Sequence, residues 1–149
     1  MPAVPHGNAT FQFPIRVYYE DTDTGGVVYY ANYLKFFERA RTEWLRTLGF
    51  GQAQMADLDG RIFVVRKAST EYRLPARLDD ELMVHSQIRR VGRASLDFHQ
   101  WCMRGEQLIA VGDIQVGCVQ REGLRPAAMP KPLAARLSGL DAPPRHHPA

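Results

Sequence analysis

Between Tyr33 and Leu48, apolar side chains recur at Tyr33, Phe37, Ala40, Trp44 and Leu48, with Leu34 and Leu45 widening the stripe. That is the spacing of one face of a long α-helix. Lys35, Glu38, Arg39, Thr42, Glu43 and Arg46 fall mostly on the other face, and Gly49 suits the left-handed position past the helix end. From Ile62 onward the period changes to two, and strands are expected at Ile62–Leu74, Leu82–Arg90, Ala94–Met103 and Gln107–Gln120. The turns between them, Leu78-Asp79-Asp80, Val91-Gly92-Arg93 and Arg104-Gly105-Glu106, are short, which forces antiparallel pairing. Phe13–Tyr19 supplies a further strand before the helix, with Pro14 near its start, where a missing N–H does least harm. A sheet with an apolar face needs a cover, and the one long helix provides it. The expected fold is α+β, a five-stranded antiparallel sheet wrapped around one long central helix.

A chain of 149 residues suffices for one domain with a real core. Its 45% apolar and 23% charged content is that of an ordinary globular protein. No run approaches the roughly 18 apolar residues of a membrane-spanning helix, so no membrane insertion is expected. The start, MPAVPHGNAT, lacks the basic and apolar regions of a secretory signal. Cys102 and Cys118 lie in strand-like runs and read as buried free thiols of a cytosolic protein. The net charge is +3, and the sixteen arginines are scattered among sixteen acids, which argues against a nucleic-acid face while leaving room for local phosphate contacts. Residues 1–12, with Pro2, Pro5 and Gly7, are expected to form a flexible N-terminus, 13–130 the domain, and 131–149 an extension. A short helix at Leu133–Leu140 and the tail PPRHHPA make up that extension. The tail lacks four His or Cys ligands at suitable spacing, so neither a metal nor another cofactor is expected.

The chemistry concentrates ahead of the helix. Val17-Tyr18-Tyr19 ends in Glu20-Asp21-Thr22-Asp23, and Thr24-Gly25-Gly26 then breaks the strand. Asp21-Thr22-Asp23-Thr24 matches the DxDxT motif of haloacid-dehalogenase-like phosphotransferases, but that chemistry needs a parallel, doubly wound sheet. A calcium loop starting here would place Gly25 and Asn32 where acidic ligands are needed. On spacing alone, an Asp that merely caps a turn is as good a reading as a reactive one.

VYYEDTDTGGVVYYANYLKFFERARTEWL, together with FVVRKASTEYRLPARLDDEL and VGRASLDF, resembles the YbgC-type acyl-CoA thioesterases, in the 4-hydroxybenzoyl-CoA thioesterase branch of the hotdog fold. The likeness runs from about Phe13 to Pro130. It implies a hotdog domain, a homodimer or homotetramer with its active site at the subunit interface, and hydrolysis of a coenzyme A thioester. It also implies a cytoplasmic setting beside the Tol–Pal envelope system. The family's catalytic carboxylate falls on Asp23, and its backbone amide facing the thioester carbonyl falls on Tyr30. YbgC-type members usually carry His where this chain has Tyr30, which leaves the amide role intact.

That placement agrees with elementary chemistry, because a carbonyl under attack gains negative charge and a helix N-terminus offers unpaired N–H groups. A carboxylate can attack directly or activate water. Arg66 and Lys67 on one strand, and Arg89, Arg90 and Arg93 around a hairpin, are candidates to bind the coenzyme A phosphates, with Ser95 adding a hydrogen bond. His85 and His99 alternate onto the polar faces of strands and read as surface or interface residues. Of the ring cluster Tyr29, Tyr30, Tyr33, Phe36 and Phe37, most should be core, with one or two walling an acyl pocket. A hotdog hydratase would need a His–Asp pair, and no His lies beside Asp23. A non-catalytic module binding acyl-CoA or an acyl carrier protein is the other alternative, and an acyl carrier protein is also a candidate partner of the enzyme.

Overall fold

The computed structural model describes residues 10–141. Its elements are β1 (Phe11–Arg16), α1 (Asn32–Thr47), α2 (Gln52–Asp59), β2 (Arg61–Tyr72), β3 (Glu81–Val91), β4 (Ser95–Arg104), β5 (Gln107–Gln120) and α3 (Lys131–Leu137). The strands form one sheet in the order β1-β3-β4-β5-β2, antiparallel throughout. β2 does not pair with β3 as consecutive strands would in a simple meander. Residues 73–80 instead cross the end of the sheet, held by the Arg73 and Leu74 amides on the Ile109 carbonyl and by Arg104 on the Pro75 carbonyl. β2 is left as a twelve-residue edge strand.

The inner face of the sheet packs on α1. Phe36, Phe37, Ala40 and Trp44 are buried there with Val84, Ile88, Leu96, Phe98, Ala110 and Ile114. Each fully buried large apolar side chain contributes about 1.5–3 kcal/mol. The helix is also pinned by polar groups: Gln100 Nε2 donates to the Phe37 carbonyl (2.9 Å) and to Ser86 Oγ (2.8 Å). Cys102 and Cys118 are buried free thiols on the same inner face, and burial pushes Cys102 up to about 12.

Several boundaries differ from the sequence-based expectation. β1 starts at Phe11, two residues early, because the Phe11 ring stacks on Trp44 at 5.8 Å and 5° and pairs opposite Ser86. β1 also ends at Arg16 rather than Tyr19. Val17 turns away to exchange backbone hydrogen bonds with Asp79 and Asp80, and Tyr19–Asp21 form a 3₁₀ turn. Between the long helix and β2 stands the eight-residue α2, a helix for which the sequence shows no apolar stripe. α3 spans Lys131–Leu137 and is no loose appendage, since Leu133 and Leu137 reach the core. The tail PPRHHPA and residues 1–9 lie outside the described residues.

Three register shifts break the period of two, between Val65 and Lys67, Ile88 and Arg90, and Cys102 and Met103. Arg66 and Arg89 are the extra residues of the first two bulges. The third, at Ile109, sets Leu108 apart from Ala110 and Ile114 and puts it with Trp101, Met103 and Val111 on the outer face.

Candidate active site

Asp21 and Asp23, two residues apart, occupy different environments. The 3₁₀ turn bends Asp21 inward until it is 5% exposed, and its Oδ2 accepts the Tyr18 amide at 2.8 Å. The Asp21 carbonyl accepts both the Tyr29 amide (2.9 Å) and Asn32 Nδ2 (2.8 Å), which ties the loop to the start of α1. Asp23 is exposed at the tip of a tight loop closed by Asp23 N–H to the Val27 carbonyl and Gly26 N–H to the Asp23 carbonyl. Gly26 sits at φ 81°, a backbone region that favours glycine. Asp23 Oδ1 accepts the Gly25 amide at 2.8 Å and the Val27 amide at 3.4 Å. Its Oδ2 bonds to none of the described residues. The carboxylate is thus oriented by the loop through one oxygen, and Asp23 lines a cleft of about 740 Å³ together with Tyr19, Glu20, Thr22, Tyr29, Asn32 and Leu78.

The start of α1 is short of acceptors. Asn32 N–H reaches the Tyr29 carbonyl, Tyr33 N–H the Tyr30 carbonyl and Leu34 N–H the Ala31 carbonyl, all in tightened first-turn bonds. Among the described residues, the amides of Tyr30 and Ala31 find no acceptor. Among the described residues no side chain caps this end, and no acidic residue stands in the first turn, so the positive end of the helix dipole meets no counter-charge from them.

Rings surround that end. Tyr30 is 59% exposed and meets Tyr29 at 4.8 Å and Tyr72, from the end of β2, edge-on at 5.9 Å. A hydrogen bond with the Tyr30 hydroxyl raises the Tyr29 phenol above its ordinary value. Tyr33, Phe36 and Phe37 are core, with burial pushing Tyr33 up to about 12. Asn32 and Tyr72 were not singled out in the sequence. An Asn at a helix start is a recognisable signal, whereas the approach of Tyr72 is a long-range consequence of strand order.

The basic residues gather elsewhere. Lys67 and Arg89 line one outer-face cleft with Ser69, Asp97, Asp113 and Gln115. Ser95 pairs opposite Gly117, and the stem of Arg66 lies so close over Gly117 that a Cβ there would meet Arg66 Cδ at 2.6 Å. The bulges therefore turn Arg66 and Arg89 onto the face that carries Lys67, as bulges beside functional sites often do. Arg90 and Arg93 are exposed at the β3–β4 hairpin. His99 Nδ1 lies 2.8 Å from Asp113 Oδ1 at the margin of this cleft. Within one chain this group and the Asp23 cleft share no lining residue.

The thioesterase-like superfamily model matches residues 17–137, a span that holds every candidate site residue. The chain belongs to the thioesterase-like superfamily. Among curated members it is 46% identical to the acyl-CoA thioesterase YbgC of Haemophilus influenzae over 130 residues, covering 87% of this chain and 96% of that one. It is 47% identical to the acyl-CoA thioester hydrolase YbgC of Escherichia coli over 129 residues, covering 85% and 95%. A probable thioesterase from Bartonella henselae has a similar structure, with a TM-score of 0.78 at 35% identity over 82% of this chain and all of that one. A 1,4-dihydroxy-2-naphthoyl-CoA thioesterase from Synechocystis superposes with a TM-score of 0.81 at 25% identity, covering 91% and 100%. The five-stranded sheet on one long helix is thus the hotdog fold of this superfamily, as expected from the resemblance.

Proposed function

We propose that this chain hydrolyses acyl-CoA thioesters with short-chain or aromatic acyl groups, with Asp23 as the catalytic carboxylate and the Tyr30 amide as the donor to the thioester oxygen. The observation that carries the reading is that Tyr29 and Asn32, which flank Tyr30 at the helix start, line the same cleft as Asp23, whose Oδ2 bonds to none of the described residues, while the Tyr30 N–H finds no acceptor among them. The likeness to curated acyl-CoA thioesterases over most of the chain supports it.

In this mechanism the thioester carbonyl oxygen takes the Tyr30 hydrogen bond, which stabilises the negative charge that forms on attack. Asp23 Oδ2 takes a proton from water as the water oxygen bonds to the carbonyl carbon; the C–S bond then breaks and the thiolate leaves, to be protonated. Attack by Oδ2 itself, through an anhydride that water opens, uses the same oxygen. Either route ends in a carboxylate and free coenzyme A.

Arg66, Lys67, Arg89, Arg90, Arg93 and Ser95 would hold the coenzyme A phosphates, Arg66 and Arg89 by bidentate contact. Their separation from the Asp23 cleft in one chain supports a site completed by a second copy, with the carboxylate of one protomer and the basic residues of its partner. β2, a long edge strand whose Val65 is 54% exposed, is the surface to pair. The reading sets the enzyme in the cytoplasm beside the Tol–Pal system, with an acyl carrier protein as a further candidate partner. The test is a panel of aliphatic and aromatic acyl-CoA substrates assayed for free thiol, alongside light scattering. Turnover of at least one class by a particle at least twice the 16.9 kDa chain mass is expected. Tight acyl-CoA binding without thiol release would make the chain a binding module instead.

A further inference from the structure

A further cavity, of about 240 Å³, opens between α1 and the strands β2 and β5, walled by the apolar Leu45, Phe63, Phe98 and Val116 and by the polar Thr42 and Gln52 beside Glu38 and Arg41. It shares no lining residue with the Asp23 cleft. Along α1, Arg41 in this cavity stands eleven residues from Tyr30, about 16 Å.

Arg41 is the unusual member of the lining. It is 6% exposed, and among the described residues it forms no ion pair. Its Nη1 donates to Gln100 Oε1 at 3.0 Å, and its guanidinium lies 5.9 Å from the centre of the Phe98 ring. Gln100 is itself clamped by the Phe37 carbonyl and Ser86 Oγ, so the guanidinium is held in place before any ligand arrives. Its Nε and Nη2 donate to none of the described residues. Burial pushes the group down to about 10, against a smaller opposing pull from Glu38 one turn earlier. A buried cation without a counter-ion is costly, and a protein interior usually supplies a partner. Here the group lines a cavity whose walls are part apolar and part polar.

We propose that this cavity binds an amphiphilic monocarboxylate, an aliphatic or aromatic acid whose body packs on the apolar part of the wall and whose carboxylate takes the open donors of Arg41. The planar fork of arginine matches a carboxylate. Glu38 is exposed and also lines the cavity, so it disfavours a doubly charged anion such as phosphate. The apolar part of the wall, Leu45, Phe63, Phe98 and Val116, gives a small inorganic anion nothing to pack against. The assignment does not rest on thioester hydrolysis and holds for the protein without coenzyme A.

Hexanoate, hexanol and inorganic phosphate, titrated calorimetrically into the full chain at low salt, test it. Saturable hexanoate binding is expected, at least tenfold tighter than that of hexanol or phosphate. Arg41→Met, which keeps an apolar stem in the cavity, should weaken hexanoate at least tenfold. Asp23→Asn should bind hexanoate as the unaltered protein does, which separates this cavity from capture of an acid at the Asp23 cleft. Should Arg41→Met fail to fold, Glu38→Gln on the exposed face decides, because removing a repelling charge must tighten hexanoate. Absent saturation, equal binding by Arg41→Met, tighter or weaker binding in Asp23→Asn, or unchanged or weaker binding in Glu38→Gln would each overturn the proposal.

Discussion

The side-chain amide of Asn32 donates to the backbone carbonyl of Asp21 across 2.8 Å, joining the first residue of α1 to the loop that carries Asp23. Both ends of this bond are buried. Asn32→Asp turns the donor into an acceptor facing another acceptor, so a loss of about 1–3 kcal/mol is expected. Because the same carbonyl holds the Tyr29 amide, kcat should fall with it. Urea denaturation and steady-state kinetics on the variant check both, and unchanged stability would mean the bond is dispensable.

Gly117 is where β5 yields space to Arg66. Gly117→Ala puts a methyl group against the middle of the Arg66 side chain, which must move. If Arg66 holds coenzyme A, KM should rise, up to about tenfold, or ~1.4 kcal/mol, with kcat little changed. Arg66→Ala is the comparison. A raised KM in Arg66→Ala but not in Gly117→Ala would show that Arg66 acts from a different conformation.

Tyr30→Phe keeps the backbone amide and removes the hydroxyl. Most activity should survive, whereas a thousandfold loss, about 4 kcal/mol, would make the hydroxyl catalytic. The same substitution deprives the Tyr29 phenol of the hydrogen bond that raises it. Ultraviolet titration should therefore find one tyrosine ionising at lower pH than before.

Acid sensitivity should trace in part to Asp80. Partial burial alone would raise this carboxyl, but the Arg77 amide and the Arg104 guanidinium, 2.9 Å away, outweigh it and hold it below its ordinary value. A depressed carboxylate contributes stability above its unfolded value of about 3.9 and loses it as pH falls through the lower folded value. Arg104→Gln should cost about 0.2–1 kcal/mol at pH 7. The difference from the unaltered chain should shrink when the urea midpoints are remeasured near pH 3.

The long helix was legible because its apolar period runs unbroken, and β5 has the bounds expected from the alternation although its period slips at Ile109. Strand order was not legible, since it depends on residues 73–80 crossing the sheet end rather than on any local pattern. The side that Leu108 takes was not legible either, because the extra residue Ile109 flips everything beyond it. Phe11 looked like part of a loose terminus beside Pro2, Pro5 and Gly7, and only its stacking on Trp44 brings it into the sheet. Asp21 and Asp23 would share a side in an extended segment. The 3₁₀ turn at Tyr19–Asp21 separates them, burying one and exposing the other.

That separation makes the paired substitution of the two aspartates the most direct measurement. Asp23→Asn keeps the shape of the loop and removes its charge, so kcat for acyl-CoA hydrolysis should fall at least about a hundredfold, ~2.7 kcal/mol, with KM nearly unchanged. Asp21→Asn weakens the bond to the Tyr18 amide and should cost about 1 kcal/mol of stability while turnover persists in the folded fraction. An active Asp23→Asn beside a well-folded, inactive Asp21→Asn would contradict the account.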